Sequence, residues 1–254
     1  MHSFMIFTKK EFMELWRTKR ILILCCAFLF LAIGSPILGR YLAEIIQMTA
    51  GDLPIEFPPP FWLDSWAQFY SNFNQLGNLV VIVLFMGCIS GEKQSGTASL
   101  ALTKNLSHTS FVMAKFFSQL AILTGFYIVA IGVAQLYTEL LFDTSGNIMD
   151  VILGGVFYYV GLVALLAFIT LASSLTKSSL SSVMVALGGG VLAIVVSYLP
   201  GLRNFSPQFL MSQSMEVLVS GGELEFPVIP LLGTIVVTVL CLVGAIYVLK
   251  GQEI

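Results

Sequence analysis

Six stretches of this chain hold no aspartate, glutamate, lysine or arginine: 21–39, 65–91, 116–138, 151–176, 178–202 and 226–249. They are 19, 27, 23, 26, 25 and 24 residues long, and their 144 residues contain none of the 26 charged side chains. A helix needs roughly 20 apolar residues to cross the ~30 Å hydrocarbon layer of a bilayer, so each stretch is long enough to cross once. Backbone amides in hydrocarbon find no water, which selects helices over open strands. Only Lys177 separates the fourth and fifth stretches, and together they are too long for one crossing, so the chain must reverse around Thr176-Lys177-Ser178-Ser179. The expected fold class is an all-α membrane protein, one domain over residues 1–254 with six transmembrane helices.

Composition points the same way. Charged residues make up 10% of the chain and hydrophobic ones 57%, against about 25% charged in soluble domains. A net charge of −2 leaves no basic face for a nucleic-acid partner. The four cysteines (Cys25, Cys26, Cys88, Cys241) all fall inside apolar stretches, where they read as small hydrophobes. No disulfide framework and no metal-ligand spacing is expected.

Basic residues set the expected orientation. With the N-terminus in the cytoplasm, ten of the twelve lie inside and only Arg40 and Arg203 outside, while ten of the fourteen acidic residues lie outside. This asymmetry places both termini in the cytoplasm, and the expected location is the plasma (inner) membrane. The first stretch reads as a retained anchor, because its twenty-residue lead is long for a signal peptide and Gly34-Ser35-Pro36 is followed by no clear cleavage motif.

The segments between stretches carry more detail. Residues 1–20 read as an amphipathic interfacial helix, with Phe4, Met5, Phe12, Met13, Leu15 and Trp16 on one side and Lys10, Glu11, Glu14 and Arg17 opposite. Lys9 and Phe7 violate the pattern, and Trp16, Arg17 and Arg20 read as the interfacial anchor. Residues 40–64 form the first outer loop, interrupted by Pro54 and Pro58-Pro59-Pro60. Trp62, Trp66, Phe69 and Tyr70 then read as an aromatic belt at the membrane surface. Inside the second crossing, Gln68, Ser71, Asn72, Asn74, Gln75 and Asn78 cover about half the helix. That face must meet protein or water, as a translocation pathway or as interhelical hydrogen bonds.

Residues 92–115 are the longest inner segment. Gly96 breaks the chain, Thr97–Thr103 is compatible with a short helix that buries Leu100 and Leu102, and Ser107 can cap the third crossing. Such a helix at the membrane's inner face suggests a docking surface. Gly154, Gly155 and Gly161 in the fourth crossing and Gly188–Gly190 in the fifth allow close helix contact or a kink. Residues 203–225 are too short and polar to span and read as an outer, partly membrane-dipped element.

Catalytic constellations are missing. His2 and His108 have no partner at ligand spacing, and Gly91–Gly96 is followed by Thr97 and Ala98 where a phosphate-binding loop needs Lys and Ser/Thr. The chain reads as a non-enzyme. Ion-coupled transporters place ionisable groups at mid-membrane, and these stretches have none. Driving energy, if there is any, must come from a partner through the inner segment.

The interfacial helix ending in Leu15-Trp16-Arg17-Thr18-Lys19-Arg20, the six crossings, and Glu92 followed by Gly96-Thr97 and Leu100-x-Leu102 resemble the permease subunits of type-2 ABC exporters, the small six-helix kind that includes peptide exporters. Lys115 matches the family's lysine opening the third helix, while Asn105-Leu106-Ser107-His108 replaces its usual turn. The resemblance implies a coupling helix between helices 2 and 3, with Glu92, Gly96, Thr97, Leu100, Leu102 and His108 facing a separate ABC ATPase subunit. That partner would bind the ATP and Mg, this chain carrying no cofactor. It implies a second permease copy or paralogue, membrane lipid around both, and a path lined by the second and fifth helices. Asn72, Gln75 and Asn78 become pathway residues and Gly188–Gly190 a flexible point. The substrate class expected is amphipathic, peptide first and drug or lipid next. A non-transporting membrane scaffold or assembly factor, or a passive channel, is the alternative.

Overall fold

The computed structural model describes residues 2–50, 59–98, 107–144, 146–221 and 226–252. Among these the chain runs as α1 (His2–Arg17), α2 (Arg20–Ala50), α3 (Trp62–Asn72), α4 (Asn78–Phe85), α5 (Ser90–Gln94), α6 (His108–Leu141), α7 (Ile148–Leu175), α8 (Ser179–Ser197), α9 (Pro207–Ser220) and α10 (Val228–Lys250). A π-helical turn, Phe73–Gly77, joins α3 to α4, and no strand occurs among the described residues. Six helices are long and apolar enough to cross a membrane: α2, the run Trp62–Gln94 through α3, α4 and α5, and then α6, α7, α8 and α10. Each falls on one of the six charge-free stretches.

Boundaries differ where charge was the guide. Helix α2 does not stop at Gly39 but continues to Ala50, so residues 40–50 are helical rather than loop. Arg40 and Glu44 ride on its last turns, because a charge ends an apolar stretch without breaking the i→i−4 ladder. Helix α6 begins eight residues before Phe116, at His108. Its expected cap is in place, Ser107 Oγ accepting from Ser110 N at 3.1 Å. Helix α8 ends at Ser197, short of Leu202, and the reversal at Thr176–Ser178 places Ser178 as its cap.

The core is aromatic at its centre. Trp66, Phe69 and Tyr70 are 1%, 0% and 6% exposed, which corrects their reading as a belt at the membrane surface. With Phe73 they recur at i, i+3, i+4 and i+7, the spacing of one helix face, and that face turns inward. Phe73 meets Phe69 at 4.3 Å and Phe28 of α2 at 5.0 Å between ring centroids, and Tyr70 meets Tyr158 of α7 at 5.5 Å.

Helix α9 fills most of the 203–225 element and lies along α7, burying Leu210, Met211, Val217 and Leu218. Two glycines of α7 admit it. A Cβ at Gly154 would stand 2.6 Å from the Ser214 carbonyl oxygen, and one at Gly161 would stand 2.4 Å from Met211 Cγ. The Gly154 contact is with backbone, so the neighbour cannot rotate away. Gly154→Ala is expected to cost about 1–3 kcal/mol through overpacking. Gly132→Ala in α6, where a Cβ meets nothing within 4 Å, is expected to be neutral or mildly stabilising through helix propensity. Thermal unfolding of the two purified variants checks the contrast.

Candidate functional site

Two features converge on the second crossing: an ionic cluster at its Gln94 end and a cleft at its middle. The cluster begins with Glu92 in α5. Its Oε1 accepts from Lys10 Nζ of α1 at 2.9 Å and lies 3.0 Å from Lys115 Nζ of α6. Lys115 also pairs with Glu11 of α1 at 2.9 Å, and Lys10 reaches Glu11 at 3.3 Å and Glu14 at 3.4 Å. Two ammonium groups thus face three carboxylates. Lys115 and Glu11 are almost fully enclosed, with side chains 2% and 6% exposed. Partial burial opposes the charged form of Lys10, but the hydrogen bond to Glu92 and the nearby Glu11 and Glu14 outweigh it and hold its pKa above the ordinary lysine range. Glu11, Glu14 and Glu92 offer oxygens within 4.8 Å of one another, yet Lys10 and Lys115 already supply the positive charge such a group requires.

This cluster fixes how α1 sits. Its charged side turns onto the protein through Glu11, while Met5, Phe12, Met13 and Trp16 point outward. Phe7, which violates the amphipathic pattern, faces inward and meets Phe111 of α6 at 5.4 Å between centroids.

Around Glu92 the chain is irregular. The second crossing breaks its helix at Met86–Ile89, and the freed amides of Ile89 and Ser90 donate to Ser173 Oγ of α7 at 3.0 and 2.9 Å. Ser90 Oγ lies 2.8 Å from Ser182 Oγ of α8, so buried hydroxyls tie the second, fourth and fifth crossings together. Lys93 Nζ donates to the Ser174 carbonyl at the end of α7 and to Gln252 Oε1. Gly96 then turns the chain with φ +72, a left-handed conformation that costs glycine little. Thr97 follows, exposed, its Oγ1 donating to the Glu92 carbonyl at 3.4 Å.

The cleft lies between the π turn and α4 on one side and α8 on the other, floored by α7, with a volume of about 420 Å³. Asn74, Gln75 and Asn78 reach it from the second crossing, Gly189 and Gly190 from the fifth, and Gln208 from α9. Asn78 Nδ2 donates to Asn74 Oδ1 at 3.0 Å, and Gln75 Nε2 donates to Ser71 Oγ at 3.2 Å.

The structure therefore brings Gln75 and Asn78 together with Gly189 and Gly190, but not Asn72. Asn72 turns to α2 and donates to Ser35 Oγ at 3.0 Å, an interhelical bond. Gly188 does not line the cleft, and α8 runs unbroken through Gly188–Gly190. Glu92, Gly96 and Thr97 are contiguous, whereas His108 opens α6 apart from the cluster. Leu100 and Leu102 lie outside the described residues. Trp16 and Arg17 are exposed at the end of α1, and Arg20 opens α2 half-buried. Sequence reasoning missed Lys10 and Glu11 as site residues. The signal available was Lys115 itself, a charge at the edge of an apolar stretch with no carboxylate three or four residues away.

Removing Lys115 leaves the enclosed Glu11 and Glu92 to the half-exposed Lys10 alone. Lys115→Met is expected to cost about 3–5 kcal/mol, the usual consequence of unpairing a buried charge. The double variant with Glu11→Met should cost less than the sum of the two singles. Unfolding midpoints of the four proteins in one double-mutant cycle check this.

No family model matches the chain. It is similar to the uncharacterized transmembrane protein YxlG of Bacillus subtilis (strain 168), 25% identical over 236 residues covering 89% of each chain. That similarity and six helices of crossing length make this a multi-pass membrane-spanning protein.

Proposed function

We propose that this chain is the membrane-spanning permease subunit of an ATP-driven exporter of the type-2 ABC kind. It works in the plasma membrane with both termini in the cytoplasm, beside a second permease copy or paralogue. A separate ATPase subunit binds ATP and Mg. The substrate is amphipathic, a peptide before a drug or lipid.

The observation that supports this reading best is the attachment of Glu92. Its side chain is tied to α1 through Lys10 and to α6 through Lys115, and the Gly96 turn follows four residues later. A force applied at Gly96–Thr97 is carried into three helices at once. Helix α1, with its apolar face outward, suits the membrane's inner interface and would move with them. Helix α8 buries only Ser182 and Ala186, which leaves an apolar face for the second permease beside the exposed Leu76, Leu79 and Val83.

Replacing Gly96 and Thr97 with glutamate is expected to leave membrane insertion intact and to lower ATP-dependent transport about 5- to 150-fold, the span of ordinary coupling energies. Uptake of a fluorescent amphipathic peptide by inverted vesicles holding both subunits is the measurement. Undiminished uptake would remove the docking role. A reporter fused after Lys250 should be accessible only from the cytoplasm, and an external signal would reverse the topology.

A further inference from the structure

Among the described residues, the cleft of the second crossing is lined by no charged side chain. Its lining includes no Asp, Glu, Lys, Arg or His, and its walls are mostly aliphatic, with Leu79, Ile82, Leu165, Leu187, Val191 and Val237 among them. Its volume of about 420 Å³ falls within the roughly 300–1,000 Å³ of small-molecule sites. Asn78 is the central residue of the span Trp62–Gln94, so the cleft opens at mid-crossing, where an unpaired charge is most costly.

Its polar groups are amides with bonding capacity left over. Asn74 uses its carbonyl oxygen on Asn78, and Gln75 uses its nitrogen on Ser71. The Asn74 nitrogen, the Gln75 carbonyl and the Gln208 amide have no hydrogen-bond partner among the described residues. The π turn Phe73–Gly77 helps to put them there, because a π turn takes more residues than an α turn and so re-aims the positions after Asn72. Polar groups in an apolar setting are retained only where something satisfies them. Here the site offers both donors and acceptors, all neutral, at the wall of an aliphatic slot.

We infer that this cleft binds the uncharged part of an amphipath: a single long alkyl or acyl chain bearing a neutral amide-like group, with any formal charge held outside. The assignment rests on the exporter reading for its role in transport and narrows the substrate class of that same path. A neutral amide satisfies the donors and acceptors in pairs. A carboxylate or an ammonium would meet no counter-charge.

Gly190 gives the cleanest probe. It lines the cleft, and a Cβ there meets nothing within 4 Å, as at Gly188, which does not line it. Purified full-length protein in phosphatidylcholine nanodiscs would be photolabelled with a diazirine-bearing hexadecanamide, and with the same chain ending in sulfonate or in trimethylammonium. Labelled sites would be read by mass spectrometry. Saturable labelling at 74–82 and 187–196 is expected to be about tenfold stronger for the amide than for either charged probe, a difference of about 1.4 kcal/mol. Gly190→Leu should lower it by a similar factor and Gly188→Leu should leave it unchanged. Gln75→Glu should shift preference toward trimethylammonium. Competition by unlabelled hexadecanamide on the unmodified protein tests the site even if Gly190→Leu does not fold. Equal labelling by charged probes, labelling spread evenly over the lipid-facing surface, or labelling untouched in a folded Gly190→Leu protein would overturn the assignment. The assay contains neither ATPase nor nucleotide, so failure of the exporter reading leaves its outcome intact, and its own failure leaves the Gly96–Thr97 test intact.

Discussion

The pairing of Lys115 is the interaction on which the Glu92 end of this molecule depends. An ammonium group on a helix of crossing length is tolerable only if carboxylates come to it. Glu11 and Glu92 do so from separate helices, and Glu11 lies 104 residues away in sequence. The pairing constrains more than a charge. Helix α1 has no covalent reason to lie against α6, and the bond to Glu11 holds its charged side inward. Met5, Phe12, Met13 and Trp16 are thereby left facing out, while Leu15 at the edge of the apolar side packs into the core. The same ammonium holds Glu92 at the point where the second crossing leaves its regular helix. One buried cation thus sets the attitude of a surface helix and the exit of the chain toward Gly96.

Backbone satisfaction governs the remainder of that end. Where α4 gives way at Met86–Ile89, amides lose their ladder partners, and in a membrane protein water cannot replace them. Ser173 takes two of them with a single oxygen, and Ser182 and Lys93 extend the network to α8 and to the last residues of the chain. Apolar packing between membrane helices is weakly directional, since lipid tails are as apolar as leucine. Hydroxyls, an ammonium and close glycine contacts such as Gly154 supply the specificity that hydrophobicity does not.

The crossings were legible because exclusion of charge from hydrocarbon is severe and acts on every residue. Helix ends were less so, since Arg40 and Glu44 extend α2 beyond its apolar stretch, and Lys115 is accepted inside α6 through partners no local window contains. Amphipathic periodicity located the two sides of α1 but is silent about which medium each side meets. A charged side can face a buried ammonium as well as water, and Phe7 marked that ambiguity. Trp66, Phe69 and Tyr70 carried a core signal in their helical spacing, which competed with the habit of aromatic residues at membrane surfaces. Ser107 was readable as a cap because capping needs only a hydroxyl two or three residues before an amide, whereas at Thr176–Ser179 only the reversal was legible and Ser178 emerges as the cap.

The polar face of the second crossing shows where a helical wheel fails. The wheel assumes 100° per residue, and under that assumption Asn72, Gln75 and Asn78 share one side. The π turn from Phe73 to Gly77 falls between the first of them and the last. Asn72 precedes it and spends its amide on Ser35 of α2. Asn78 follows it and faces the cleft, with Tyr158 donating to its carbonyl at 3.4 Å. An interhelical bond at Asn72 and a cleft-lining side chain at Asn78 therefore stand on opposite sides of one irregular turn. A local widening of the helix separates a residue that fastens the bundle from residues that leave hydrogen-bonding capacity open toward the cleft. That separation lets a crossing be held firmly to α2 while presenting unsatisfied amides toward α8.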